Sequence, residues 1–172
     1  MGGIGVVVRD ENGHCIAALS KSVKHAHSVL SLEAEACRAG VLLGLNQGWT
    51  EIDIESDSAI LIAALKDKEM DLSVVSRVLD DCREYLNSFH SVSIRHIYRE
   101  ANSVADRLAH FACKEVVDYI WLGESPAIIQ DVLYEDNMHC TTLARGSGYM
   151  SPSLQNYSNI INGTGRGDEP PS

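Results

Sequence analysis

The stretch Thr50-Glu51-Ile52-Asp53-Ile54-Glu55 alternates polar and apolar residues, and Asp57 follows it two positions later. Strict alternation of this kind predicts a β-strand with one buried face. The stretch Ser91-Val92-Ser93-Ile94-Arg95-His96-Ile97 alternates in the same way. Between the two, residues 57–65 and 72–86 carry apolar side chains at helical spacing. A strand, two helices and a strand in this order predict an α/β sheet.

The neighbouring segments extend this arrangement. Residues 4–20 contain two β-rich runs joined by a polar link with the pair Asn12-Gly13, which predicts a hairpin. Residues 31–47 repeat apolar side chains at helical spacing, and Gly48 follows them as a stop signal. Residues 103–117 form one more amphipathic helix. The predicted order is therefore β-β-α-β-α-α-β-α, a mixed α/β fold.

The length and composition fit one domain followed by a tail. The chain has 172 residues, of which 45% are hydrophobic and 22% are charged, as is usual for soluble globular proteins. We place the domain at residues 1–118 and a short extension at 119–137. Residues 138–172 are rich in Gly, Ser, Asn and Pro, so a disordered tail is expected there.

The charge and cysteine patterns indicate which binding partners and which cellular compartment to expect. A formal net charge of -10 argues against non-specific nucleic-acid binding, although it leaves room for a local basic patch. No apolar run is long enough to span a membrane, and the first residues do not resemble a secretory signal. The five scattered cysteines suit reduced thiols rather than a disulfide framework or a zinc site. We expect an intracellular protein without a membrane partner, in either the nucleus or the cytoplasm.

Three acidic residues stand out by their positions in the predicted elements. Glu35 lies in the first turns of a helix beside its apolar stripe, Asp57 follows the alternating strand, and Asp106 lies in the first turn of the last helix. Carboxylates from three separate elements are the hard oxygen ligands that a pair of Mg²⁺ ions needs.

Each of these acids also has a purely structural interpretation. Glu35 could form an ion pair with Arg38 three residues later. Asp57 could cap the helix that follows it. Asp106 completes the capping-box pattern Ser103-Val104-Ala105-Asp106. Residue types alone favour the structural role in each case.

Four segments taken together resemble a known family. They read GGIGVVVRDENG at 2–13, EAEACRAG at 33–40, IDIESDS at 52–58 and IRHIYREANSVADRLA at 94–109. In this order they resemble the ribonuclease H-like domain, in the plant, retroelement-derived branch of type 1. Residues 121–136 are similar to the short extension that often follows this domain in plants. The resemblance implies an RNase H-like mixed sheet of five strands with flanking helices.

The resemblance also implies an activity, which is hydrolysis of the RNA strand of an RNA:DNA hybrid with two Mg²⁺ ions. Glu35, Asp57 and Asp106 would be the catalytic and metal-binding carboxylates, whereas Glu33 is expected to be solvated. One ion would generate the attacking hydroxide, and the other would stabilise the leaving 3′ oxygen.

Substrate contacts follow from the same resemblance. Arg99 and His96 are candidate substrate-binding residues, because they precede Asp106 where the family keeps a proton-shuttling or phosphate-contacting group. Arg99 would contact a phosphate, and His96 is expected to belong to the strand end. Ser58, Asn102 and the backbone of Gly2-Gly3-Ile4 are candidates for contacts to the 2′-OH groups that distinguish RNA from DNA.

The sequence departs from the family at its N-terminus. The family's first strand, which carries the first catalytic aspartate in a D-G-[SA] sequence, has no counterpart before Gly2. That strand lies between the hairpin and the strand at 50–55, and Asp10 in the hairpin link does not replace its aspartate. Either residues 119–172 fill the gap or the chain is a truncated piece, and truncation is the favoured expectation. A longer parent chain or a protein partner would then supply the strand.

Three functional hypotheses remain open at this point. The first is a ribonuclease that is weak or inactive because one of four catalytic carboxylates is missing. The second is a non-catalytic remnant of a retroelement-derived domain that binds nucleic acid or a protein. The third is an unrelated α/β protein whose acids only cap helices.

Overall fold

The computed structural model describes residues 1–70, 72–116 and 118–135, together with the backbone of 157–166. The strands are β1 (Gly2–Arg9), β2 (Cys15–Val23), β3 (Glu51–Ser56), β4 (Ser91–His96), β5 (Tyr119–Leu122) and β6 (Tyr157–Arg166). The helices are α1 (Val29–Asn46), α2 (Ala59–Lys66), α3 (Ser76–Leu86) and α4 (Ser103–Glu115), with 3-10 turns at Arg99–Asn102 and Ala127–Ile129. The predicted order of elements through α4 is confirmed.

The strands form one mixed sheet in the order β4-β3-β6-β1-β2-β5. β3 is parallel to β4 and to β6, whereas β1 is antiparallel to both β2 and β6, and β5 is antiparallel to β2. Helices cover both faces, so the expectation of a mixed α/β sheet with flanking helices is confirmed.

The hairpin between β1 and β2 is closed by its own polar residues. One carboxylate oxygen of Asp10 accepts the backbone N–H groups of Asn12 at 2.9 Å and of His14 at 2.8 Å. Gly13 has a φ of 82°, a left-handed conformation that glycine adopts without strain. Asp10 is therefore a turn residue, as the sequence predicts.

Alternate side chains of the central strands enter two separate apolar cores. Ile4, Val6 and Val8 of β1 face the core beneath α1, α2 and α3. Val7 faces the opposite core, where it packs with Val104, Leu108 and Ile129 below α4 and the turn at Ala127–Ile129. The period of two along β1 thus places one layer of helices on each side of the sheet.

β6 differs from the disordered tail that the sequence predicts for the C-terminal region. Residues 157–166 are expected to be disordered, yet they form a strand between β1 and β3. This is the place of the first strand that the resemblance implies. Without β6, the backbone groups along the inner edges of β1 and β3 would lack partners in the middle of the sheet. Residues 138–156 and 167–172 of the expected tail lie outside the described residues.

The described side chains agree with reduced cysteines. Cys15, Cys37, Cys82 and Cys113 are not joined in disulfides, while Cys140 lies outside the described residues. Burial raises the pKa of the Cys15 thiol. Among the helices of the described ranges, none combines the length and the apolarity that crossing a membrane requires.

Candidate functional site

Asp57 lies at the carboxyl end of β3, in the link to α2. The next residue, Ser58, is the N-cap of α2, and its Oγ accepts the backbone N–H of Leu61 at 3.3 Å. The backbone N–H of Ser58 in turn donates to Oγ of the buried Ser56 at 3.1 Å. The interpretation of Asp57 as the helix cap is therefore wrong, and its carboxylate is available for other contacts.

Asn102 connects Asp57 to the start of α4. The Asn102 side chain is fully buried, and its Nδ2 donates a hydrogen bond to Oδ1 of Asp57 at 2.7 Å. The ring Nε2 of His96 lies 3.2 Å from the backbone oxygen of Asp57, and the N–H of Ile97 donates to the carbonyl of Ser56 at 3.0 Å. These contacts hold the residues after β4 against the end of β3.

Asp106 belongs to the same edge of the sheet. It follows Asn102 by four residues, so the two side chains share one face at the start of α4. Its Oδ2 lies 3.8 Å from Nε of Arg99, whose side chain is 79% exposed. The N-cap of α4 is Asn102, with no side-chain cap hydrogen bond at this helix start. The capping-box interpretation of Ser103 and Asp106 is therefore wrong.

Glu35 lies on a different flank of the molecule. Its carboxylate accepts a hydrogen bond from Arg38 at 2.7 Å, and Arg38 also binds Asp81 at 3.0 Å. Burial acts to lower the pKa of Arg38, but the bond to Asp81 and the charge of Glu35 outweigh it and raise that pKa. The predicted ion pair with Arg38 is thus present.

Glu35 also lines a cavity of about 330 Å³ beside Lys21 of β2 and Tyr119 and Ile120 of β5. Since β1 and β6 separate β2 from β3, this cavity lies away from the β3 end that carries Asp57. The structure joins Asp57 to Asn102 and places Asp106 one helical turn after Asn102, whereas Glu35 lies beside this cavity.

Glu33 is buried, and the expectation that it is solvated is wrong. Its side chain is 5% exposed, and it shares a stripe of α1 with Cys37, Val41 and Gly44, which are also buried. The preceding residue, Leu32, packs directly over Gly2. Gly2 belongs to the edge of the sheet where β3 ends. The spacing of 33, 37, 41 and 44 is the sequence signal that places Glu33 among the buried positions of α1.

The described carboxylates do not form a metal centre as they stand. Carboxylate oxygens are suitable ligands for Mg²⁺. Among the described residues, however, no group of three His, Cys, Asp or Glu side chains lies close enough together to hold a metal ion.

The segment around the site is more basic than the chain as a whole. The protein carries a net charge of -10, but residues 95–110 contain three arginines and two histidines against two acidic residues. The basic residues are Arg95, His96, Arg99, Arg107 and His110. Arg95 pairs with Asp53 and Glu55, and Arg107 pairs with Asp131, so Arg99 is the arginine of this segment with the most exposed side chain.

Comparison with known proteins points to one family. The model of the reverse transcriptase-like family matches residues 1–112. A curated Arabidopsis thaliana relative with the name "Putative ribonuclease H protein" is 30% identical over 106 residues, which are 59% of this chain. The chain spans about 17% of the length of that relative.

A solved structure confirms the fold. RNase H1 from the halophilic archaeon Halobacterium salinarum superposes with a TM-score of 0.63 at 24% identity. The alignment covers 66% of this chain and 86% of the archaeal one. The family match, the curated relative and the common fold lead to one conclusion: the chain belongs to the reverse transcriptase-like family and contains an RNase H-like domain.

Proposed function

We propose that this domain binds RNA:DNA hybrids at the edge formed by Asp57, Asn102 and Asp106, and that it cleaves the RNA strand weakly or not at all. The observation that carries the proposal is the 2.7 Å bond from the buried Asn102 to Asp57. This bond joins the two acid-bearing elements into one site.

Two features support weak or absent cleavage. The described carboxylates do not assemble into a group of three that could hold a metal ion. The strand β6, which takes the place of the family's first strand, contains no acidic residue in its sequence YSNIINGTGR at 157–166. β6 therefore completes the backbone pairing of the sheet without adding the fourth carboxylate that the resemblance implies.

Among the four side chains that are candidates for substrate contacts, Arg99 has the best support. Its side chain is largely exposed beside Asp106, so the guanidinium can reach a phosphate. Asn102 is buried against Asp57, and we propose it as a positioning residue. Ser58 caps α2, and His96 contacts the backbone of Asp57. We therefore propose that both residues hold the backbone around Asp57 in place.

The backbone of Gly2-Gly3-Ile4 is less suited to contact the substrate than the sequence predicts. All three residues belong to β1, which pairs with β2 on one side and with β6 on the other. Their backbone groups are therefore engaged within the sheet.

Two glutamates of α1 are candidates for the carboxylate that this helix would contribute to the site. Glu35 is the residue that the resemblance implies, but it pairs with Arg38. Glu33 is buried in the first turns of α1. Any residual Mg²⁺-dependent cleavage should therefore be lost in Glu33→Gln and kept in Glu35→Gln. Loss of cleavage in Glu35→Gln alone would show that Glu35 is the residue that acts in the site.

The test of the proposal separates binding from cleavage. Fluorescence anisotropy with a labelled RNA:DNA hybrid measures binding by the full 172-residue chain, and gel analysis with Mg²⁺ measures cleavage. We expect hybrid binding with little or no product, and loss of any residual product in Asp57→Asn. Absence of hybrid binding would refute the proposal. Efficient cleavage that disappears in Asp57→Asn would refute its second half and establish a working active site.

A further inference from the structure

Tyr98 is the most exposed large apolar or aromatic side chain of the described residues. Its side chain is 80% exposed, next to the site just described. The ring of His96 meets the ring of Tyr98 edge-on, with centroids 6.2 Å apart and planes at 77°. Because this ring faces solvent beside the proposed binding edge, its face is accessible to a ligand that can stack on it.

The neighbours of Tyr98 tie it to both acid-bearing elements. On one side, Nε2 of His96 lies 3.2 Å from the backbone oxygen of Asp57. On the other side, Nε of Arg99 lies 3.8 Å from Oδ2 of Asp106. The exposed ring therefore lies on the short segment that joins β4 to α4, where His96 before it contacts Asp57 and Arg99 after it contacts Asp106.

We propose that Tyr98 is a stacking platform for an unpaired base next to the RNA:DNA duplex. This inference rests on the proposed function. Within a duplex both faces of each internal base are covered by its neighbours, so a ring beside the duplex stacks on an unpaired base of an adjoining single strand and not on the paired bases. Arg99, directly after Tyr98, is placed to hold the adjoining phosphate. The pair would favour hybrids that continue into a single strand over blunt hybrids.

Tyr134 provides a matched control. Its side chain is 68% exposed, and it lies in the helical residues 130–135, outside the segment that joins β4 to α4. Among the described residues, Tyr98 and Tyr119 contact other aromatic rings, whereas Tyr134 does not. Removing this ring tests whether any exposed tyrosine contributes to binding.

The experiment compares two labelled hybrids, one blunt and one with a short single-stranded extension, by fluorescence anisotropy without divalent metal. We expect the wild-type chain to bind the extended hybrid more tightly than the blunt one. Tyr98→Ala should weaken binding of the extended hybrid by roughly tenfold and leave the blunt hybrid almost unchanged. Tyr98→Phe, which keeps the ring, and Tyr134→Ala should both bind like the wild type.

Several outcomes would overturn the inference. Tyr98→Ala binding the extended hybrid as tightly as the wild type would remove the stacking role and leave the proposed function intact. Equal losses for both hybrids would also refute it, because a contact to the duplex does not need an unpaired base. If the wild-type chain binds neither hybrid, the proposed function fails and the Tyr98 inference fails with it. A thermal melt of each variant confirms that the exposed substitutions leave the fold intact.

Discussion

At the scale of single residues, Asn102 contributes to both stability and site geometry. Its buried amide donates to Asp57 at 2.7 Å, so Asn102→Ala leaves a buried space and one carboxylate oxygen without its donor. We expect a loss of about 1–3 kcal/mol in the free energy of unfolding, measured by urea denaturation. Asn87→Ala at the exposed C-cap of α3 is the control and should cost much less. Equal losses in the two variants would mean that the bond to Asp57 adds nothing.

The raised pKa of Glu55 predicts that the free energy of unfolding depends on pH. Burial raises the pKa of Glu55 above its ordinary value of 4.5, and Asp53 adds to this effect, while Arg95 at 2.8 Å opposes it. A raised pKa means that the folded state favours the protonated form. Its contribution to stability is therefore fully present below pH 4.5 and is lost as the pH rises through the folded-state pKa.

Glu55→Gln should remove this dependence, because the amide does not ionise. We expect the variant to lose less stability than the wild type as the pH rises from below 4.5 to neutral. Urea unfolding over that range measures the difference. The prediction is contradicted if the two proteins have parallel stability profiles.

The glutamates of α1 mark the limit of residue-level prediction. The sequence places the apolar stripe along Leu32, Ala36, Ala39 and Leu43, and this choice favours Glu35. In the structure α1 packs against the sheet on one side and against α3 on the other. A helix buried on two sides has two apolar stripes, so periodicity alone does not decide which stripe faces the site.

At the scale of elements, the crossing of β1 and α4 depends on the absence of a side chain at Gly5. A Cβ there would overlap the carbonyl oxygen of Ala105 and lie 2.7 Å from the backbone nitrogen of Ala109. Backbone atoms of a helix cannot move aside as a side chain does. Gly5→Ala should therefore lower the free energy of unfolding by about 1–3 kcal/mol or more, as judged by thermal and urea melts.

Gly44→Ala is the matched control for this substitution. The three atoms nearest to a Cβ at Gly44 would be ring carbons of Phe89 and Trp49 at 3.3–3.4 Å, which side chains relieve by small shifts, and alanine is the better helix former. We expect a change close to zero. A loss at Gly44 as large as the loss at Gly5 would show that general crowding, and not the β1–α4 crossing, limits stability.

The elements that the sequence predicts well are those whose signal is local. Strict alternation over residues 50–55 and the Asn12-Gly13 link depend only on neighbouring residues, and both the strand and the hairpin are confirmed. β6 has no such signal, because YSNIINGTGR at 157–166 reads as a polar tail. Its strand structure depends on the open edges of β1 and β3, which lie more than a hundred residues earlier in the chain.

At the scale of the whole molecule, β6 joins two halves of the sheet. On one side β1, β2 and β5 form an antiparallel group, and on the other side β3 and β4 form a parallel pair. β6 pairs along all of β1 and all of β3. The described strands of the two halves are linked within the sheet through this strand.

Truncation on either side of β6 tests this role directly. A variant ending at residue 166 keeps the strand, and a variant ending at residue 156 removes it. The first should unfold cooperatively with a stability close to that of the full chain. In the second, the backbone groups along the inner edges of β1 and β3 lose their partners, and each unpaired buried group costs about 1–3 kcal/mol.

The summed cost of the unpaired backbone groups of β1 and β3 therefore exceeds the usual stability of a domain, which is about 5–15 kcal/mol. The variant ending at 156 should not unfold cooperatively. Circular dichroism during urea titration distinguishes the two variants. Adding a synthetic peptide of residues 157–166 should restore a cooperative transition whose midpoint rises with peptide concentration, because the peptide binds only the folded sheet. If the variant ending at 156 unfolds as cooperatively as the full chain, the sheet closes without β6, and another segment must pair with β1 and β3.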